Sequence, residues 1–146
     1  MSQGLDSQPA PYTVMHNTSF SVKASDDKEV CDIHGMCQMP DGSIIVADHA
    51  NKCLKQLDNT YNVTSRCSLK EAPNDVCVID AGQVAVATQG QEVQFVSVGN
   101  KMTRTQSFYT DDLCESLAYS NDCLFVTEAY MRAAIHVYII TSLVPA

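Results

Sequence analysis

A six-residue pattern recurs twice in this chain at one fixed interval. Ser43-Ile-Ile-Val-Ala-Asp48 is followed 40 residues later by Gln83-Val-Ala-Val-Ala-Thr88, and after a further 40 by Cys123-Leu-Phe-Val-Thr-Glu128. A turn pair precedes each copy: Asp41-Gly42, Ala81-Gly82 and Asn121-Asp122. An interval of this length marks one small supersecondary unit that cannot bury its apolar surface alone and must stack on its neighbours. The runs Ile44 to Ala47, Val84 to Ala87 and Leu124 to Val126 are apolar at every position, not at alternate ones. A strand of that kind needs cover on both faces. Their shortness, β-branching and bracketing turn residues argue against helix.

These observations predict an all-β chain, a partial β-propeller of about three four-stranded antiparallel blades. A leader over residues 1–17 precedes a lone strand at 19–24, where Phe20, Val22 and Ala24 alternate with Ser19, Ser21 and Lys23. The first blade is expected over 30–69, with strands at Ile33 to Met39, Ile44 to Ala47, Leu54 to Leu57 and Val63 to Leu69. The second spans 74–108, with strands at Val76 to Ile79, Val84 to Ala87, Val93 to Val98 and Met102 to Phe108. The third, 115–142, has strands at Ser116 to Tyr119, Leu124 to Thr127 and Ile135 to Ile140, and is cut short of its fourth. Propellers close with about four to eight blades, so three leave a bare face at each end. Bare apolar faces are uncommon on soluble monomers, and self-association through the open blade edges is expected.

Net charge is −8 in 146 residues, with only nine Lys and Arg. Nucleic-acid binders carry a basic face, and this composition disfavours that class. The densest basic group, Lys52, Lys55, Arg66 and Lys70, reads as a solvated strand surface. Seven cysteines form no CxxC pair, and the start of the chain has no apolar run of export-signal type. Free thiols in a reducing, cytoplasmic setting are the expectation. No run is long enough to span a bilayer, so no membrane partner is expected.

The stretch from Gly35 to Asp58, with Pro40-Asp-Gly42, Val46-Ala-Asp48, Asn51 and Leu54, closely resembles an NHL repeat. The resemblance covers roughly residues 18–140, strongest in the first unit. It implies a six-bladed type of propeller, akin to that at the C-terminus of tripartite-motif proteins, many of them ubiquitin ligases. It also implies that the strand at Ser19 to Ala24 is a ring-closing one whose partner blade is missing. Cys53 stands where the family usually has a basic residue, and Thr88 with Gln89-Gly-Gln91 replaces the Asp and Asn in the second unit. No RING or B-box zinc framework accompanies the repeats, so ligase activity does not carry over and the chain is expected not to be an enzyme. RNA binding is an alternative that the resemblance brings.

Candidate chemistry is sparse. Cys31, His34 and Cys37 have metal-like spacing, but in a strand 34 points away from 31 and 37. Cys37 and Cys77 instead read as equivalent core residues. A Cys–His dyad would require an accessible activated thiol, and His49 has only Cys53 nearby in sequence. A calcium-dependent hydrolase of the lactonase type would hold its ion with acids such as Asp32, Asp75 and Glu115. No cofactor or metal is therefore expected. The remaining site is a loop face carrying His49, Asn51, Lys52, Lys70, Glu71, Gln89, Gln91, Tyr109, Tyr130 and Arg132, with a protein as its partner. Tyr and Arg are common interface anchors, while Asp48 and Asn51 suit loop hydrogen bonding.

Overall fold

The turn residues and apolar runs resolve into eleven strands in three sheets, and no helix occurs among the described residues. The computed structural model describes residues 11–129 and 134–141. Blade 1 contains β1 (Ile33–Gln38), β2 (Ile44–Asp48), β3 (Cys53–Leu57) and β4 (Val63–Ser68). Blade 2 contains β5 (Pro73–Asp80), β6 (Gln83–Thr88), β7 (Glu92–Val98) and β8 (Met102–Tyr109). Blade 3 contains β9 (Cys114–Ser120), β10 (Cys123–Glu128) and β11 (Ile135–Ile139). Each sheet is an antiparallel meander in sequence order. The fold is thus a partial propeller, whose third blade has three strands among the described residues.

The second strand of each blade meets the demand for cover on both sides. Ile45, Ala47, Val84, Val86, Leu124 and Val126 are all fully buried. One core lies between blades 1 and 2, formed by Ile45, Ala47, Leu54, Val76, Val84, Val86 and Val96. Another lies between blades 2 and 3, formed by Ala85, Ala87, Val93, Phe95, Cys114, Leu124 and Val126. Burying each Val or Leu contributes about 1.5–3 kcal/mol. The blades therefore hold one another in place, which single hairpins could not do.

Polar side chains stitch the same seams. Asp75 Oδ2 accepts the Leu117 N–H at 2.8 Å, and Asn74 Nδ2 donates to the Cys114 carbonyl at 2.8 Å. Gly35 makes the first seam possible: a Cβ there would fall 2.7 Å from Asp75 Oδ1 and 3.0 Å from the Asp75 Cα. Cys37 and Cys77 pack against the two cores, as their spacing suggested.

Two expectations need correction. Residues 19–24 belong to no sheet: the Val22 carbonyl is taken by Lys55 Nζ and Phe20 packs on Tyr61, so the segment is held by side chains and not by a strand partner. The segment instead runs irregularly into contact with blade 1. Lys55 is also no surface lysine, since it is fully buried and held by acids from two directions.

Candidate functional site

In each blade, the second strand ends and the first strand begins at the same end of the molecule. One backbone hydrogen bond marks this repeat. The N–H after β2 or its counterpart reaches the chain just ahead of, or entering, the first strand: His49 to Asp32 O, 2.8 Å; Gln89 to Ala72 O, 2.9 Å; Ala129 to Leu113 O, 2.7 Å. Leu69 N–H to Lys52 O and Thr110 N–H to Gln91 O tie the outgoing loops to the turns beside them. The turns need left-handed backbone at Lys52 (φ 48°) and Gln91 (φ 58°), a conformation uncommon for residues other than glycine.

This end gathers most of the predicted face. His49, Asn51, Lys52, Lys70, Glu71, Gln89, Gln91 and Tyr109 all lie on its turns and loops or at the strand end beside them. Tyr130 and Arg132 lie outside the described residues. The structure brings His49 to Gln89, whose side-chain nitrogens are 3.3 Å apart. Glu71 packs over Gly90, where an added Cβ would meet Glu71 Cγ at 2.6 Å. Tyr109 stands 72% exposed.

His34, which the sequence reading did not place on this face, is part of its centre. Its ring stacks on His49 with centroids 4.1 Å apart and planes 17° from parallel. His34 Nε2 faces Asp32 Oδ2 at 3.0 Å. His49 Nδ1 donates to the Pro73 carbonyl at 3.1 Å. That bond fixes the proton on Nδ1 of the neutral ring and turns Nε2, as acceptor, towards the Gln89 amide. Beside the stacked pair is a cleft of about 330 Å³ lined by His34, Asn74, Gln89, Leu113, Glu115 and Ala129. The His34 imidazole, the Asn74 and Gln89 carboxamides and the exposed Glu115 carboxylate offer hydrogen-bonding groups there. The signal for His34 was its 15-residue distance from His49, which adjacent antiparallel strands close.

Asn51 has another role. Its Oδ1 accepts the N–H groups of Lys28 and Glu29 at 3.0 and 2.9 Å, and its Nδ2 donates to Asp48 Oδ2 and Glu29 O. Asp48 accepts from Asp32 N–H, Asn51 N–H and Lys55 Nζ as well. These two residues therefore hold loop backbone, as their types suggested, rather than presenting themselves to a partner.

Below them lies the buried ammonium. Lys55 Nζ is 2.6 Å from Asp27 Oδ2, 3.0 Å from Asp48 Oδ2, 2.9 Å from Val22 O and 3.3 Å from Cys31 Sγ. Asp27, Cys31 and Asp48 are the one metal-like cluster among the described residues, and the lysine supplies its cation. Burial alone would lower the Lys55 pKa, but the hydrogen bonds its ammonium donates to Asp27, Asp48 and Cys31 outweigh it and hold it well above the usual lysine range. Burial alone would raise Asp48, yet the Asn51, Asp32 and Lys55 donors hold it far below the usual carboxylate range. Asp27 is shifted the same way, with Lys55 the chief donor opposing its burial.

The other sequence candidates do not converge. Cys31 joins this cluster, His34 stacks on the loop face, and Cys37 lies at the blade seam. Burial pushes the Cys37 thiol up to about 12, with Asp75 adding to it. Asp75 is committed to Val76 and Leu117 N–H groups, and Asp32 to His34.

Comparison with known proteins agrees with this geometry. The NHL repeat model matches residues 30–57, which contain β1 to β3. No curated protein sequence matches the chain. Solved propeller-type structures do. BBS1N in complex with ARL6DN gives a TM-score of 0.61 at 15% identity, covering 84% of this chain and 40% of that one. Virginiamycin B lyase from Staphylococcus aureus gives 0.55 at 10% identity, covering 75% and 42%. A chain of the mitotic checkpoint complex gives 0.60 at 8% identity, covering 66% and 33%. Identity this low shows a shared fold alone. The chain spans between a third and about two fifths of the length of these structures.

Proposed function

We propose that the chain is a non-catalytic protein-recognition module whose partner meets the loop face around His34, His49, Gln89 and Tyr109. The observation that carries this reading is the gathering of loops from all three blades into one hydrogen-bonded end with a polar cleft. Loops on a rigid scaffold are where binding residues concentrate, and an exposed Tyr109 is of the type that anchors interfaces. Two of the similar structures are of protein complexes, BBS1N with ARL6DN and the mitotic checkpoint complex. The NHL repeat supports the finer reading, in which the module resembles the substrate-binding end of tripartite-motif proteins. Ligase chemistry would then reside outside these 146 residues. All seven cysteines are free, which suits a reducing compartment such as the cytoplasm.

The test is proximity cross-linking followed by affinity measurement on any recovered partner. Tyr109→Ala or His49→Ala is expected to weaken that binding at least tenfold, as for an interface anchor; Tyr109→Ala should do so without lowering the melting temperature, whereas His49→Ala also removes the bond to the Pro73 carbonyl. Undiminished binding by both variants, or recovery of chaperones only, would remove the reading. Single-stranded RNA serves as a counter-probe: a strongly salt-dependent shift would favour the nucleic-acid alternative.

A further inference from the structure

The buried ammonium has one contact of a different kind from its ion pairs. Lys55 Nζ lies 3.3 Å from Cys31 Sγ. Among the described residues, no other cysteine sulfur is hydrogen-bonded to an ammonium. Cys31 is half-buried, and a cleft of about 470 Å³ lined by Val22, Asp27, Val30 and Cys31 among others opens on it. A small molecule from solvent can therefore reach a thiol and an amine that already touch.

Asp27 completes the group. Its Oδ2 meets both partners, 2.6 Å from Nζ and 3.3 Å from Sγ. Its Oδ1 is buried with no hydrogen-bond partner, and the side chain is only 2% exposed. A buried carboxylate short of donors is costly, and taking up a proton relieves that cost. Burial and the Asp27 bond push the Cys31 thiol up, so it is not a fast-reacting thiolate. The cluster acts instead through proximity, holding two reacting groups in contact beside a proton acceptor.

We propose that Cys31 and Lys55 form a reversible oxidative cross-linking site, at which dioxygen joins Sγ to Nζ through one bridging oxygen atom. The O–O bond breaks, and one oxygen makes the new S–O and O–N bonds. The other leaves as water, carrying the thiol proton and one ammonium proton. A second ammonium proton passes to Asp27, and the nitrogen keeps the third. Sulfur and nitrogen together give up the four electrons that reduce dioxygen. Two equivalents of a dithiol return those electrons, restore the thiol and the amine, and release the bridging oxygen as water. The link exchanges an ionic anchor of the segment for a covalent one and takes the cation away from Asp48. It is independent of the loop-face reading, since neither residue belongs to that face.

Mass spectrometry of the 146-residue chain, kept in air-saturated or in anaerobic buffer, tests the proposal. The expected product in air is heavier by about 14 Da, one oxygen gained and two hydrogens lost, and by about 2 Da more under heavy-isotope dioxygen. Sulfenic or sulfinic acid would add about 16 or 32 Da instead. Trypsin should stop cutting after Lys55, so that peptides 29–52 and 53–66 emerge joined, and a dithiol should separate them and restore the cut. Cys31→Ser and Lys55→Arg should each abolish the joined peptides. Cys31→Ser keeps the ammonium and both carboxylates, so it remains informative if Lys55→Arg does not fold. Undiminished cleavage after Lys55 in air, joined peptides without the gain of one oxygen, or a joined product that persists in Cys31→Ser would overturn the proposal.

Discussion

The outward face of blade 1 holds Val46, Cys53, Lys55 and Leu57 at 4% exposure or less, although none of them belongs to the core between the blades. The outward strand of blade 3 leaves Ile135, Val137 and Ile139 at half exposure or more. The sequence gives both faces an apolar middle, so composition does not separate them. The difference is one ammonium group. Lys55 draws in the Asp27 carboxylate, the Val22 carbonyl and the Cys31 thiol, and with them a segment that covers its face. Asn51 adds Lys28 and Glu29, Arg66 approaches Asp26 at 3.6 Å, and Phe20 packs on Tyr61 at 4.4 Å. A buried ion pair contributes little net stability against an apolar substitute. Here it fixes the path of a segment with few apolar contacts of its own.

Removing the ammonium should break the contrast most strongly. Lys55→Met leaves two desolvated carboxylates without their cation and is expected to cost about 3–5 kcal/mol, read from urea unfolding. Amide protection at Lys28 and Glu29 should fall with it, making blade 1 resemble blade 3. A loss under about 1 kcal/mol would mean that the carboxylates find water or other donors, and the pairing would not be what holds the segment.

The same cluster sets the response to acid. Asp27 and Asp48 have folded-state pKa values below their ordinary ones. Their stabilisation is therefore complete above the unfolded carboxylate pKa, about 3.9, and is lost as pH falls through the lower folded values. Lys55 is shifted upward, so its contribution is complete below about 10.4 and fades only as pH rises through its higher folded value. The melting temperature should hold from mildly acidic to mildly alkaline pH and decline in strong acid. The Lys55→Met variant should lose the Asp27 part of that slope more than the Asp48 part, because Asn51 and the Asp32 N–H still hold Asp48 low.

How much of this was legible in the sequence depends on what repeats. The second strands recur every 40 residues because each is sandwiched in the same way, and the turns before them are equally long. The fold class and the blade order followed from that. The polar positions drift. Lys55 stands opposite Val46, Gln94 opposite Val86 and His136 opposite Val126. Those three share one place in three blades, yet they sit 39 and 42 residues apart, because the turns between second and third strands differ in length. In sequence Lys55 consequently reads as a solvated lysine. His34 escapes for a related reason: its partner is a loop residue across a strand pair, and no periodicity reports a ring stack.

The shared position yields a finer comparison. Asp48 and Glu128 occupy matching ends of β2 and β10, but Asp48 holds four donors while Glu128 has none among the described residues apart from the 3.2 Å approach of His136. Asp48→Asn is expected to cost about 3 kcal/mol by breaking a buried pair. Glu128→Gln should cost less than about 1 kcal/mol, since little hydrogen bonding is lost and a buried charge is removed. Equal losses in urea unfolding would show that the two sites are energetically alike despite their different surroundings.

The smallest effect is expected at Ile139, and it separates folding from association. Ile139 is 78% exposed, so Ile139→Ala removes apolar surface already in contact with water. Unfolding of the dilute single copy should shift by no more than about 0.5 kcal/mol, the ordinary range for surface substitutions. Truncating a fully buried core isoleucine would cost about 2–5 kcal/mol. If the chain self-associates through this open blade face, the same substitution should weaken that association measurably while leaving the dilute melt untouched. A large loss in the dilute melt would mean that Ile139 is already packed within the single copy. The contrast between the two end faces would then be false.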